Sequence, residues 1–134
     1  VNVLVAGFYD RLHPGHLKFL KGASKFGNLI VNLGNDENLK EQKNKKPLFN
    51  QEDRKTMLEA LHCVDHVNIP ETTGELDWIE TLEDSELNID VFIINDEGDT
   101  EFKKQACLQR GIHYLVLMIR DEEDWSTTKI RKCK

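Results

Sequence analysis

No run of about 20 apolar residues, the length a helix needs to cross a bilayer, occurs in the 134-residue chain, so a membrane-spanning helix is excluded and a soluble protein is expected. Cysteine is sparse. Cys63, Cys107 and Cys133 are odd in number, far apart and without a CxxC step, which points to free thiols rather than structural zinc or a redox dithiol. Lysine and arginine are missing altogether from residues 71–101, which hold twelve acids, whereas residues 1–46 hold eight basic residues against four acids. This polarity suits a phosphate-binding part and an acidic, solvated part. The net charge of −6 disfavours a nucleic-acid partner, because a polyanion would be repelled. No linker, internal repeat or low-complexity tract breaks the chain. Nor does a basic-then-apolar leader precede Val1, where the sequence starts directly in an apolar run; an initiator or precursor segment is expected to be missing, and the cytoplasm is the default compartment.

What is present is a globular composition, 39% hydrophobic and 31% charged, in a length that supports one core. Residues 1–134 are therefore expected to form a single domain, with the active site in that fold or between copies. Val1–Ala6, closed by Gly7, reads as a buried strand, and after Pro14 the apolar residues Leu17, Leu20 and Ala23 recur at helical spacing up to Gly27. Leu29–Leu33 is a second strand; a Lys-rich loop follows, and Asn50 can cap a helix through Leu61. Val64–Ile69 and Ile89–Ile94 are strands three and four with an acidic amphipathic helix near 75–87 between them, and a helix near 100–110 leads to the fifth strand, Tyr114–Ile119. Such alternation predicts an α/β, three-layer Rossmann-like fold with a five-stranded parallel sheet. Ligands in that architecture sit beyond the carboxyl ends of the strands, where the strand order reverses.

The loop expected at that position reads Gly7-Phe8-Tyr9-Asp10-Arg11-Leu12-His13-Pro14-Gly15-His16. Gly7 and Gly15 let backbone approach a ligand closely, and the first turn of the following helix offers N–H groups and partial positive charge to an anion. His13 and His16 add hydrogen-bond donors, and charge when protonated, around phosphate oxygens. Near the other end Ser126-Thr127-Thr128-Lys129-Ile130-Arg131 could open a terminal helix, its hydroxyls either capping that helix or binding phosphate. Arg54, near a helix start, is electrostatically misplaced unless it pairs with an acid or a ligand. His62, His66 and His113 fall in helix or strand patterns and read as structural or exposed, Trp78 as a packing residue, and Trp125 as closing over a nucleobase or packing.

GFYDRLHPGH with the distant WSTTKIR resembles the cytidylyltransferase-like superfamily of HxGH nucleotidyltransferases, and in length and layout its glycerol-3-phosphate cytidylyltransferases. The similarity runs through nearly the whole chain, including Asn50–Arg54, Cys63–Asp65 and Val91–Asp96. It implies that a substrate phosphate attacks the α-phosphorus of a nucleoside triphosphate, CTP in these relatives, and that pyrophosphate leaves without a covalent enzyme intermediate. Catalysis would then be positioning and charge stabilisation. By resemblance His13 and His16 hold the triphosphate and stabilise the pentacoordinate state, Ser126, Thr127 and Thr128 hold the β- and γ-phosphates, and Lys46 or its neighbour Lys45 contacts phosphate from the loop. Arg120 matches a family arginine ahead of the STTKI segment, and Asp96 an acidic position associated with Mg²⁺ or nucleotide. Gly7, Phe8, Tyr9, Asp10, Gly15 and Arg54 complete the nucleotide-binding set. Magnesium is the expected counter-ion, a phosphorylated polyol, sugar or related metabolite the expected acceptor on the way to a cell-surface polymer or lipid, and a homodimer the expected assembly.

Some residues depart from the pattern. Phe8-Tyr9 replaces a small residue followed by Phe, Asn95 stands where Gly is common, Glu97-Gly98 replaces an acid-Trp pair, and the spacing from Arg120 to Ser126 is one residue longer. These changes bear on the base and acceptor pockets, so adenylyl transfer of the heptose-phosphate or flavin-forming kind stays open, as does a nucleotide-binding module without activity. Class I aminoacyl-tRNA synthetases share an HxGH-type sequence, but 134 residues cannot hold their catalytic and tRNA-binding parts.

Overall fold

The computed structural model describes residues 1–118. Five strands, β1 (Asn2–Gly7), β2 (Asn28–Leu33), β3 (His66–Asn68), β4 (Val91–Asn95) and β5 (His113–Leu117), form one parallel sheet in the order β3-β2-β1-β4-β5. The chain builds outward from β1 to β3, then crosses to β4 on the other side of β1. The order therefore reverses between β1 and β4, and a crevice opens there at the carboxyl ends of the strands.

Period-two alternation sends neighbouring residues of β1 into two separate cores. Val3 and Val5 pack with Leu20 and Ala23 of α1 (Pro14–Ser24) and Leu58 of α3 (Gln51–Glu59). Leu4 points the other way, into a cluster with Trp78 and Leu82 of α4 (Asp77–Leu82) and Ala106 and Cys107 of α5 (Glu101–Gln109). Val3, Leu4 and Val5 are all fully buried, which is why the run reads as continuously apolar rather than alternating. Cys63 and Cys107 are free thiols. Among the described residues no helix is long and apolar enough to cross a membrane.

The structure adds one helix to the expected set. The Lys-rich segment holds α2 (Asp36–Lys43), capped by Asn35, whose side chain accepts from the Asn38 N–H at 2.7 Å, and ended by Asn44 in the left-handed conformation at φ 54°. Its buried residues are only Asn38 and Leu39. Asn38 exchanges two hydrogen bonds with the backbone of Gly74, accepting from its N–H at 2.7 Å and donating to its carbonyl at 3.1 Å. Polar anchoring of this kind leaves no apolar stripe for periodicity to detect. Two elements are shorter than expected: β3 keeps three residues at the sheet edge, and α4 keeps six of the acidic stretch.

Candidate active site

A cleft of about 480 Å³ lies at the β1/β4 reversal. Its walls come from Ala6–Tyr9, His13, Gly15, His16 and Phe19 on one side and from Trp78, Phe92–Gly98 and Lys103 on the other. Of the residues singled out from sequence, Gly7, Phe8, Tyr9, His13, Gly15, His16 and Asp96 meet there.

The loop after β1 is shaped by close backbone approaches. Tyr9 takes φ 48°, a left-handed conformation that costs a non-glycine residue roughly 1–2 kcal/mol. Its ring folds back beneath the loop and meets the His16 ring edge-on, with centroids 5.3 Å apart. Gly7 permits this, since a Cβ there would lie 2.8 Å from the Tyr9 ring. The phenol is buried, and burial pushes its pKa up, so Tyr9 serves as a neutral platform. Phe8 likewise lies on Gly34, where an added Cβ would come within 2.2 Å of its ring.

His13 is the N-cap of α1. Its Nδ1 accepts from the Gly15 N–H at 3.1 Å, and the His16 Nδ1 accepts from the His13 N–H at 3.3 Å. A ring nitrogen that accepts a hydrogen bond carries no proton, so each neutral imidazole holds its proton on Nε2. The rings stack at 3.8 Å between centroids and 24° between planes. Burial first, then the neighbouring His13, hold the His16 pKa below its ordinary 6.5, against a raising contribution from the Arg11 backbone. A histidine depressed in the folded state contributes stability above the unfolded value of 6.5 and loses it as pH falls through the lower folded value. The melting temperature of the wild type relative to His16→Asn, which keeps an acceptor for the cap, should accordingly drop on titration from pH 7 toward 5; a difference that stays flat would sink this coupling.

Asp10 and Arg54 do not line the cleft; they lock its loop in place. The Asp10 carboxylate accepts from the Leu48 and Phe49 N–H groups at 2.9 and 3.0 Å. Burial alone would raise its pKa, but those two bonds, with the charges of Arg54 and Lys45, bring it below the ordinary value. Arg54, expected to pair with an acid or a ligand, is fully buried and pairs with an acid. Its guanidinium donates to the carbonyls of Phe49 at 3.0 Å, Phe8 at 2.8 Å and Gly34 at 2.8 Å, and to the Asp36 carboxylate at 2.7 Å. One cation thus ties together the loops after β1 and β2 and the lead-in to α3. Lys46 is exposed two residues before this anchor and is not among the cleft-lining residues, and Lys45 is exposed beside it. Arg120, Ser126, Thr127 and Thr128 lie outside the described residues, as do Trp125 and Cys133.

Asp96 opens the single 3₁₀ turn Asp96–Gly98 after β4, exposed at the cleft rim beside Glu97. Among the described residues no group of three or more metal-ligating side chains converges. Asp96 with Glu97 fits Mg²⁺ only in the manner of ions held mainly by water and substrate phosphates.

Comparison with known proteins decides the family. Residues 4–133 match the Cytidylyltransferase-like family. The chain belongs to it. This family member is 37% identical over 135 aligned positions to a glycerol-3-phosphate cytidylyltransferase of Staphylococcus aureus, covering 98% of the chain and 92% of that enzyme. It is also 32% identical over 133 positions to an FAD synthase of Aciduliprofundum boonei, covering 98% and 87% respectively. Among solved structures, the lipopolysaccharide core biosynthesis protein from Thermoplasma volcanium superposes with a TM-score of 0.70 at 26% identity, covering 89% of this chain and 95% of that one.

Trp78 and Lys103 are among the cleft residues of this cytidylyltransferase-like protein that were not assigned to the site from sequence. Trp78 packs on Phe92 as expected of a core residue, and its indole N–H donates to the Glu75 carbonyl at 2.9 Å, but it also lines the cleft. Lys103 projects from the first turn of α5 and donates to the Gly98 carbonyl at 2.7 Å. A cation at a helix N-terminus is as misplaced electrostatically as Arg54, and that anomaly was the available signal.

Proposed function

We propose that the chain transfers CMP from CTP to a phosphorylated small molecule, a polyol or sugar phosphate or a related metabolite, and releases pyrophosphate. The observation that carries this reading is the stacked pair His13 and His16, capped through both Nδ1 atoms at the mouth of α1 and facing the cleft at the strand-order reversal. An oxygen of the acceptor phosphate forms a bond to the α-phosphorus while the bond from that phosphorus to the bridging oxygen breaks, and its electron pair leaves with pyrophosphate. No side chain becomes bonded to substrate. The two imidazoles supply hydrogen bonds and charge as the phosphate oxygens gain negative charge, and the fixed loop spares reorganisation during the reaction. In this proposal Lys46, Arg120, Ser126, Thr127 and Thr128 complete the phosphate-binding set by family analogy. Asp96 would hold magnesium together with the polyphosphate, the ion supplying charge neutralisation when bound.

A second reading, adenylyl transfer, is supported by the similarity to the FAD synthase over 98% of the chain. Incubation with each of the four nucleoside triphosphates across a panel of phosphorylated acceptors, followed by pyrophosphate detection, separates the two. CTP with a polyol or sugar phosphate is expected to release pyrophosphate fastest. Turnover of ATP alone would move the assignment to adenylyl transfer, and neither turnover nor a raised melting temperature with any triphosphate would favour a binding module without activity.

A further inference from the structure

Lys103 stands at the end of the cleft remote in sequence from the imidazoles, in surroundings that select what it can bind. Its ammonium has three donors, and the Gly98 carbonyl takes one at 2.7 Å. Gly98 sits tightly in the turn: a Cβ there would lie 3.0 Å from the Asn95 Oδ1 and 3.1 Å from the Ile94 Cγ2, with the ammonium in ordinary contact at 3.6 Å. Burial pulls the lysine pKa down, while Asp99 and Glu75 push it back up, so its charge is already faced by two carboxylates. Asp96 and Glu97 add two more acids at the same end of the cleft. A phosphate brought to this cation would compete with Asp99 and Glu75, which already face it. A neutral, flat group with exposed hydrogen-bond acceptors meets a wall backed by the apolar residues Trp78 and Ile94, and an aimed N–H donor.

We propose that Lys103 is a specificity-determining residue that reads the nucleobase of the triphosphate, donating to a ring nitrogen or carbonyl oxygen on its edge. The inference rests on the proposed function, in which the imidazole end holds the phosphates and leaves the base to extend toward the β4–α5 turn. Bases differ in where they present acceptors, so a donor held in place by Gly98 favours one base over others.

The test compares wild type with Lys103→Met, which keeps the aliphatic stem and removes the donors, and Lys103→Gln, which restores an uncharged donor. Both kcat/KM and the rise in melting temperature are measured with CTP, UTP, ATP and GTP, and inorganic tripolyphosphate serves as a competitor without a base. In Lys103→Met, kcat/KM for the preferred triphosphate should fall about tenfold or more, the scale of a lost hydrogen bond from a charged group, with the disfavoured triphosphates nearly unchanged. Inhibition by tripolyphosphate should stay as in wild type, and Lys103→Gln should recover part of the preference. An equal fall for all four triphosphates, weaker tripolyphosphate inhibition, or an unaltered order of preference would each overturn the assignment. If wild type transfers no nucleotide but its melting temperature still rises selectively with one triphosphate, the transferase reading fails and the Lys103 inference is decided by that rise alone. If no triphosphate raises it, both fall.

Discussion

Replacing His16 by alanine is expected to lower kcat by about a hundredfold or more while leaving the fold intact, because a positioned imidazole in a transfer site contributes typically 10²–10⁴ in rate. The structural cost is small: the side chain is half-buried and caps the His13 N–H at 3.3 Å. Loss of a cap of this kind costs about 1 kcal/mol. His13→Ala should behave similarly, with the Gly15 N–H rather than the His13 N–H losing its acceptor. Because the rings are stacked at 3.8 Å and act on the same charge, the double variant should lose much less than the product of the two single losses. Steady-state kinetics together with thermal melts decide the matter. A His16→Ala enzyme within threefold of wild type would remove that imidazole from the mechanism.

Arg54→Met should instead act first on stability. It strips the hydrogen-bond donors from three carbonyls, those of Phe8, Gly34 and Phe49, and leaves the Asp36 carboxylate, itself only 34% exposed, without its cation. Breaking a buried pair on one side costs about 3–5 kcal/mol, a large part of the roughly 5–15 kcal/mol that holds an ordinary domain folded. A loss of that size corresponds to a melting temperature lower by about 10–20 °C for a chain of this length. Arg54→Lys should recover only a fraction, since an ammonium cannot reproduce the planar fork that reaches several acceptors at once. Measured well below its melting point, Arg54→Met should also show a raised KM for the triphosphate, because the loop after β1 is no longer held to the loop after β2. A melting temperature within about 3 °C of wild type would show that the network contributes far less than its geometry implies.

The sheet and the imidazole loop were legible in the sequence because both rest on local patterns: apolar strands buried on two faces, and a glycine-bounded HxGH segment entering a helix. The missed helix α2 and the role of Arg54 turn out to be one oversight. A basic residue in the first turn of α3 signalled a nearby acid or ligand, and the acid is Asp36, the first residue of the helix that lacks an apolar stripe. The sequence left acid and ligand both open, and the fold supplies the acid. Asp10, placed in the nucleotide-binding set by resemblance, accepts two backbone bonds from a segment 38 and 39 residues away, a pairing that only the folded chain creates. Lys103 makes a local bond, to Gly98 five residues away, and its cation at a helix N-terminus was a signal, but nothing local marks which wall of the cleft a helical lysine will face.

The shared guanidinium also divides the molecule mechanically. The connections leaving β1 and β2 and the approach to α3 hang from a single buried ion, so none of the three can swing aside unless the others go with it. That rim of the cleft is an anvil. Among the described residues, the bank that this ion leaves untied is the short span between β4 and α5.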